Sequence, residues 1–177
     1  MWGYSFTHSN VHHQLSEQQI FFPLKAAFAH AKPGTEITPS MIPSVSQFAG
    51  QQLLTGQQAE VYANDFINVH LGEIGGGKTY SGLSAEAMAL PKGSAAYTAA
   101  EAKVQTVFQG TTLRGLLLEA YGFSLIAAIA LWCAIAAFAL AGVMAVLVLL
   151  GFAHARRVGE TEELLPRHTP HAVVIGA

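Results

Sequence analysis

Residues 122–153, GFSLIAAIALWCAIAAFALAGVMAVLVLLGFA, decide the fold of this chain. These 32 consecutive residues include no Asp, Glu, Lys, Arg or His, whereas the residues before them carry six basic and eight acidic side chains. As an α-helix the segment would be about 48 Å long, and the hydrocarbon core of a bilayer is about 30 Å thick. We therefore predict a transmembrane helix at residues 123–153, with its apolar centre at residues 125–150.

A buried helix in a soluble protein would need a large domain around it. About 120 residues remain, which are too few to cover an apolar cylinder of that length. Only 11% of the chain is charged, against about 25% in an ordinary soluble domain. The fold class we predict is mainly α: a small helical extracytoplasmic domain at residues 1–118 that leads into the C-terminal transmembrane helix.

The flanking charges predict the orientation of this helix. Arg156 and Arg157 follow the apolar segment directly, and basic residues beside a span stay in the cytoplasm. We therefore expect the N-terminal domain outside the cell membrane and residues 154–177 as a cytoplasmic tail. Pro166, Pro170 and the acidic run at 160–163 predict that this tail is disordered.

An exported domain needs a segment that starts its export. Residues 1–23 contain neither a basic n-region nor an apolar h-region, so they do not form a signal peptide. We expect a first transmembrane helix upstream of Trp2 in the natural protein, with Met1 a misplaced start or the edge of a shortened chain.

Two helices are predicted in the first part of the domain. Apolar residues between Val11 and Phe22 recur at helical spacing, and we expect Pro23 to end that helix. Residues 31–47 contain three prolines among Ser and Thr, which predicts a loop. Thr55 and Gln58 form a capping-box pattern that begins a second helix reaching His70, and the glycines at 72 and 75–77 stop it.

A third helix is predicted from Ser94 onward. Apolar residues at helical spacing continue from there into the span, with a break expected near Gly110. No stretch shows sustained alternation of apolar and polar residues, so we predict no strands.

The pattern Gly72-x-x-x-x-Gly77-Lys78-Thr79 has the letters of a P-loop. A working P-loop follows a buried strand and opens a helix. The residues before Gly72 have helical periodicity instead, and no apolar strand ending in Asp follows to supply a second magnesium contact. We therefore predict a flexible glycine turn between two helices and no nucleotide binding.

Histidines are the residues that could carry metal chemistry. His8 and His12 are four residues apart, a spacing that places two ligands on one helix face, and His70, Asp65 or Glu17 could supply a third ligand. The alternative is a set of exposed or packed histidines on half-polar helices. We predict no cofactor. We also identify no catalytic residue, because a short chain with many Ser and His residues offers Ser-His-Asp combinations by chance.

Possible partners also follow from composition. The basic residues are scattered and the net charge is −2, which excludes the basic face of a nucleic-acid binder. Alanines recur at three- and four-residue spacing in the span, and such a stripe permits close approach of a partner helix or merely reflects an alanine-rich composition. The stripe consists of Ala130, Ala134, Ala137, Ala141 and Ala145.

Short motifs along the chain carry a resemblance to a known family. They are VHHQL at 11–15, IFFP at 20–23, FAGQ at 48–51, QAEVYA at 58–63, HL at 70–71, GGKTYS at 76–81 and LRGLLL at 113–118. Over about residues 10–140 the sequence resembles a family of small two-helix membrane proteins from high-GC Gram-positive bacteria. The resemblance implies a helix before the first motif, an extracytoplasmic middle, a second helix after the last motif and no established activity. Some members carry the label aromatic ring-opening dioxygenase.

We therefore expect a membrane-anchored envelope protein with an interaction or accessory role, whose partners are the bilayer and other membrane or envelope proteins. The alternative is a metal-dependent, dioxygenase-like envelope enzyme that uses the N-terminal histidines. A non-haem iron site of that kind needs two His and a carboxylate, and the spacing singles out no such set.

Overall fold

The computed structural model describes residues 2–158, and these are mainly helical, with no β-strand among them. The chain divides into two compact units, the first ending at Trp132 and the second beginning at Cys133. The α-helices of the described residues are α1 (Trp2–Glu17), α2 (Lys25–Phe28), α3 (Ile42–Val45), α4 (Gly56–Val61), α5 (Asn68–Gly75), α6 (Tyr80–Met88) and α7 (Ala95–Arg157). Two 3₁₀-helices, Pro39–Met41 and Ser46–Phe48, flank α3, and a π-helix, Tyr62–Ile67, joins α4 to α5.

The first helix starts and ends earlier than the sequence predicts. It ends at Glu17, and Gln19 then takes a left-handed conformation with φ of 50°. The next residues are extended, and Phe21 forms an antiparallel bridge with Gln52. The prediction that Pro23 ends the helix is therefore wrong, because the chain has already left the helix to pair with a distant segment.

The predicted loop at residues 31–47 is only partly a loop. Pro39 and Pro43 lie in the first turns of short helices, where the missing N–H of proline costs nothing and its fixed φ suits the helix. These helices bury Met41 and Val45 completely. The prolines therefore begin helical turns here rather than interrupting them.

The capping box at the start of α4 is confirmed. The Thr55 hydroxyl accepts a hydrogen bond from the Gln58 N–H at 3.2 Å, and the Gln58 Oε1 accepts from the Thr55 N–H at 3.1 Å. The helical run continues as the π-helix and α5, and it passes through Gly72 without ending. It stops at Gly76, whose φ of 61° is left-handed, so only the later glycines act as a stop signal.

Aromatic rings line the inner side of this helical run. The Tyr62 ring lies 4.7 Å from that of Phe66 and 5.3 Å from that of Phe22 between centroids. Burial, and to a lesser extent the negative charge of Glu36, raises the pKa of the Tyr62 hydroxyl above its ordinary value of 10.0.

The core of the first unit consists of two clusters that both include α7. The main cluster gathers apolar side chains from α1, the extended segment, the short helices and the α4–α5 run around Leu117 of α7. In the smaller cluster, Leu83 and Ala87 of α6 pack with Val104 and Val107 of α7. Each buried Leu or Val contributes about 1.5–3 kcal/mol relative to its exposed state.

Helix α7 is continuous from Ala95 to Arg157, so the predicted break near Gly110 is wrong. A Cβ on Gly110 would lie 2.5 Å from Cδ2 of Leu71. The glycine therefore allows α5 to approach α7 closely, and it does not interrupt the helix. The predicted tail at 154–177 is helical as far as Arg157, and its remainder from residue 159 lies outside the described residues.

Candidate functional site

Large apolar side chains form the exposed surface of α7 within residues 122–153. Phe138 is 78% exposed, Trp132 69% and Leu149 68%. Every residue from Ile135 to Val158 is exposed. Soluble proteins rarely expose so much contiguous apolar surface, and α7 is long and apolar enough to cross a membrane. This surface is the candidate functional site.

The domain packs tightly against α7 just before this surface becomes fully exposed. Gly56, the first residue of α4, lies so close to α7 that a Cβ on it would stand 2.5 Å from Cβ of Ser124 and 3.3 Å from Cα of Tyr121. The glycine is needed for this contact, because any side chain would meet the backbone of α7. Gly56 therefore fixes the position of α4 against α7.

A groove lies between α1 and the part of α7 next to the apolar segment. Its volume is about 320 Å³, and its floor includes Val11 and Leu15 of α1 and Leu117 of α7. Leu116 and Phe123, which also line it, are more than half exposed. The groove thus exposes apolar side chains between α1 and α7.

Arg114 is a half-buried cation of α7. Its Nη2 donates a hydrogen bond to Oδ1 of Asn64 at 2.8 Å, and Nδ2 of Asn64 donates to Glu60 at 2.9 Å. Its Nε is buried and has no hydrogen-bond partner among residues 2–158. The amide of Asn64 therefore links α7 to the π-helix, with Glu60 orienting that amide.

Basic side chains occupy the last turn of α7. His154, Arg156 and Arg157 lie there, and all are exposed. Positive charge at this position complements the partial negative charge of a helix C-terminus. The same charges directly follow the apolar surface, and the orientation of the span stays a prediction.

The predicted alanine stripe lies on one side of α7, because its members are three or four residues apart in a continuous helix. Ala134 is half-buried, and the other four alanines are exposed. The stripe is thus available to a partner helix, and its role in association stays a prediction.

The histidines named as metal ligands do not come together. His8 and His12 are exposed on α1, and the His8 ring lies 5.9 Å from that of Tyr4. His70 is on α5, where its Nδ1 lies 2.9 Å from the carbonyl oxygen of Phe66. Within the described part of the chain, no group of three His, Cys, Asp or Glu residues could hold a metal ion. Helical spacing alone therefore does not assemble a site here.

The segment with P-loop letters is a turn between two helices, as predicted. Gly72 lies within α5, and the turn itself comprises Gly76, Gly77 and Lys78. Thr79 is the N-cap of α6, and its hydroxyl accepts from the Gly82 N–H at 3.3 Å. Lys78 Nζ pairs with Glu86 at 2.5 Å. Helix, not strand, precedes the glycines, so this geometry differs from that of a P-loop.

Sequence reasoning missed the contacts that position the domain on α7. Gly56 and Gly110 are close-approach glycines, and Arg114 joins α7 to the π-helix. Arg114 gave one usable signal, since a lone cation among leucines in LRGLLL needs a polar partner when it is buried. Gly56 and Gly110 gave no such signal, because the residues that they contact are distant in the sequence.

We compared the chain with models of protein families, with curated proteins and with solved structures, and none of the three gave a match.

Proposed function

We propose that this chain is a membrane-anchored envelope protein with its helical domain outside the membrane and an interaction or accessory role. One observation carries the proposal: the apolar side chains of α7 from residue 135 onward are all exposed. In a bilayer each Leu, Ile, Val or Phe near the centre of a span favours insertion by about 0.3–0.6 kcal/mol. In water the same side chains would be a site of aggregation.

The orientation rests on charge. Arg156 and Arg157 in the last turn hold that end of the span in the cytoplasm, because basic residues near a span resist export. The domain before residue 118 then faces outward. Its groove, which is lined by apolar side chains and by Gln14, Gln18 and Glu119, is suited to contacts with other envelope components.

The interaction role is supported by two surfaces. The alanine stripe lets a partner helix approach α7 within the bilayer. The groove beside Val11 and Leu117 presents apolar surface on the domain next to the membrane. Each of these surfaces is a separate candidate contact for a partner.

Cys133, the only cysteine of the chain, tests the span. It is exposed on α7, and in the bilayer it should be shielded from water. In intact membranes a water-soluble maleimide should leave Cys133 unlabelled, and it should label it fully after denaturation. A matched variant, Ala96→Cys with Cys133→Ser, places the thiol at an exposed position at the start of α7 and should react in intact membranes. Equal labelling of both thiols there would contradict the span.

Purification at native expression in a mild detergent tests the interaction role. We expect the protein to elute with one or more partner proteins, and Ala137→Leu in the alanine stripe to release a partner held by α7. Ala136→Leu, on another side of the helix, is the matched control. A protein that elutes alone and as a monomer would remove the basis for this role.

A further inference from the structure

The charge of Arg114 has no counter-ion among residues 2–158. Its hydrogen bond to Asn64 joins it to a neutral amide oxygen, and no carboxylate of the described residues forms an ion pair with it. The side chain is half-buried, and its Nε is fully enclosed. Partial burial of a charge without an opposite charge is costly. The arrangement therefore favours an anion beside the guanidinium.

Arg114 lines a cavity of about 540 Å³ between α7 and the turn that joins α5 to α6. Lys78 lines the same cavity, and its ammonium group pairs with Glu86, which lines a neighbouring cavity together with Lys78. None of the described residues that line the cavity of Arg114 is Asp or Glu. The polar residues that complete the lining are Asn68, Thr79, Tyr80, Ser81 and Thr111.

The start of α6 adds to this positive environment. Tyr80 and Ser81 are the first residues of that helix, and the first N–H groups of a helix have no partner within it. These N–H groups and the helix dipole favour negative charge. Cations, hydroxyls and N–H groups together form a set dominated by hydrogen-bond donors.

The pair between Lys78 and Glu86 does not prevent such a role. Both side chains are about half exposed, at 51% and 56%, and exposed ion pairs contribute little to stability. An anion in the cavity can therefore compete with Glu86 for the ammonium group. The Glu86 carboxylate then acts as an internal competitor for the site.

We propose that this cavity binds a phosphate group through Arg114, Lys78 and the start of α6. The phosphate belongs either to a small soluble compound or to a lipid headgroup, since both offer the same oxygens. The glycines of the P-loop pattern then serve to turn the chain so that Lys78 and Thr79 reach the cavity. This proposal does not depend on the membrane role.

Calorimetric titration of the full chain in maltoside detergent tests the proposal, with inorganic phosphate and glycerol phosphate as probes. Lys78→Gln should weaken binding about tenfold, the effect of losing one charge-assisted hydrogen bond. Glu86→Gln should strengthen it, because the competing carboxylate is gone. Both variants lose the same ion pair, so a merely structural effect would change their affinities for the probes in the same direction. Lys92→Gln, beyond the other end of α6, should bind as the unchanged protein does.

Micelles doped with phosphatidic acid or with uncharged diacylglycerol identify the source of the phosphate. Saturable binding of the soluble probes that phosphatidic acid does not displace supports a soluble ligand. Saturable binding of phosphatidic acid alone, absent with diacylglycerol and weakened by Lys78→Gln, supports a lipid headgroup. The proposal is overturned if no probe binds saturably, or if Lys78→Gln and Glu86→Gln bind as Lys92→Gln does.

Discussion

Leu71 of α5 lies directly over Gly110 of α7, with its Cδ2 only 2.5 Å and its Cγ 3.4 Å from the point where a Cβ on that glycine would stand. A Gly110→Ala substitution would force Leu71 to move. Overpacking of this kind costs about 1–3 kcal/mol. Thermal unfolding followed by circular dichroism measures the loss.

Gly115→Ala is the matched control on the same helix, because a Cβ there would meet nothing within 4 Å. Both substitutions gain the same helix propensity, about 1 kcal/mol. We expect Gly110→Ala to be about 1–3 kcal/mol less stable than Gly115→Ala. In a chain that also carries Leu71→Ala, the two glycine variants should be equally stable. A stability difference that persists there would show that contact with Leu71 is not its cause.

Gly56→Ala should be the more damaging substitution. Its Cβ would meet not only Ser124 but also the Cα of Tyr121, at 3.3 Å. Because a backbone atom cannot rotate away, α4 and α7 must separate, and we expect a loss of about 3 kcal/mol. Unfolding by urea in detergent measures it. Ser124→Gly should restore only part of the stability, since the Tyr121 backbone stays in place. Full restoration would mean that the Ser124 side chain alone blocks the site.

Tyr62 makes stability depend on pH in the alkaline range. Its pKa is raised in the folded chain, first by burial and then by Glu36, from an ordinary 10.0. The unfolded chain therefore releases this proton at lower pH than the folded chain does. The contribution of Tyr62 to stability is complete below pH 10 and falls as pH rises above it.

Unfolding curves at a series of alkaline pH values test this dependence. Tyr62→Phe should lose less stability above pH 10 than the unchanged chain. Glu36→Gln should lower the pKa of Tyr62, which the ultraviolet absorbance of tyrosinate reports. A Tyr62→Phe variant with an unaltered alkaline profile would assign the effect to other groups.

The basic pair after the span should control its orientation. With Arg156→Ala and Arg157→Ala together, a fraction of the molecules should insert with the domain inside, because Lys and Arg bias sets orientation. Labelling of the Ala96→Cys thiol from outside intact cells should fall accordingly. Removal of the acidic residues Glu162 and Glu163 is the control. It should leave the labelling unchanged, since acidic residues contribute little to membrane orientation. Unchanged labelling in the arginine variant would contradict the charge argument.

Local signals in the sequence predicted local structure well. The capping box of Thr55 and Gln58 lies within four residues, so its donors and acceptors could be read directly and are present as expected. The apolar character of residues 122–153 likewise depends only on the residues themselves. The helical class of the protein follows from such signals.

Signals that depend on distant residues were misread. Gly110 suggested a break, yet Leu71, 39 residues earlier in the chain, gives it a packing role. Pro23 suggested a helix end, but the helix had ended already because Phe21 pairs with Gln52. The cavity shared by Lys78 and Arg114 is also a product of tertiary packing. Neither residue's own surroundings in the sequence point to the other.

The π-helix at Tyr62–Ile67 makes the length of this segment matter as much as its side chains. A π-turn closes over one residue more than an α-turn, and each residue of an α-helix rotates the next by about 100°. Deletion of one residue that restored α geometry would swing Leu71 by about that angle, away from Gly110. A single-codon insertion or deletion in this segment would therefore break the contact between α5 and α7 even if every core side chain were kept.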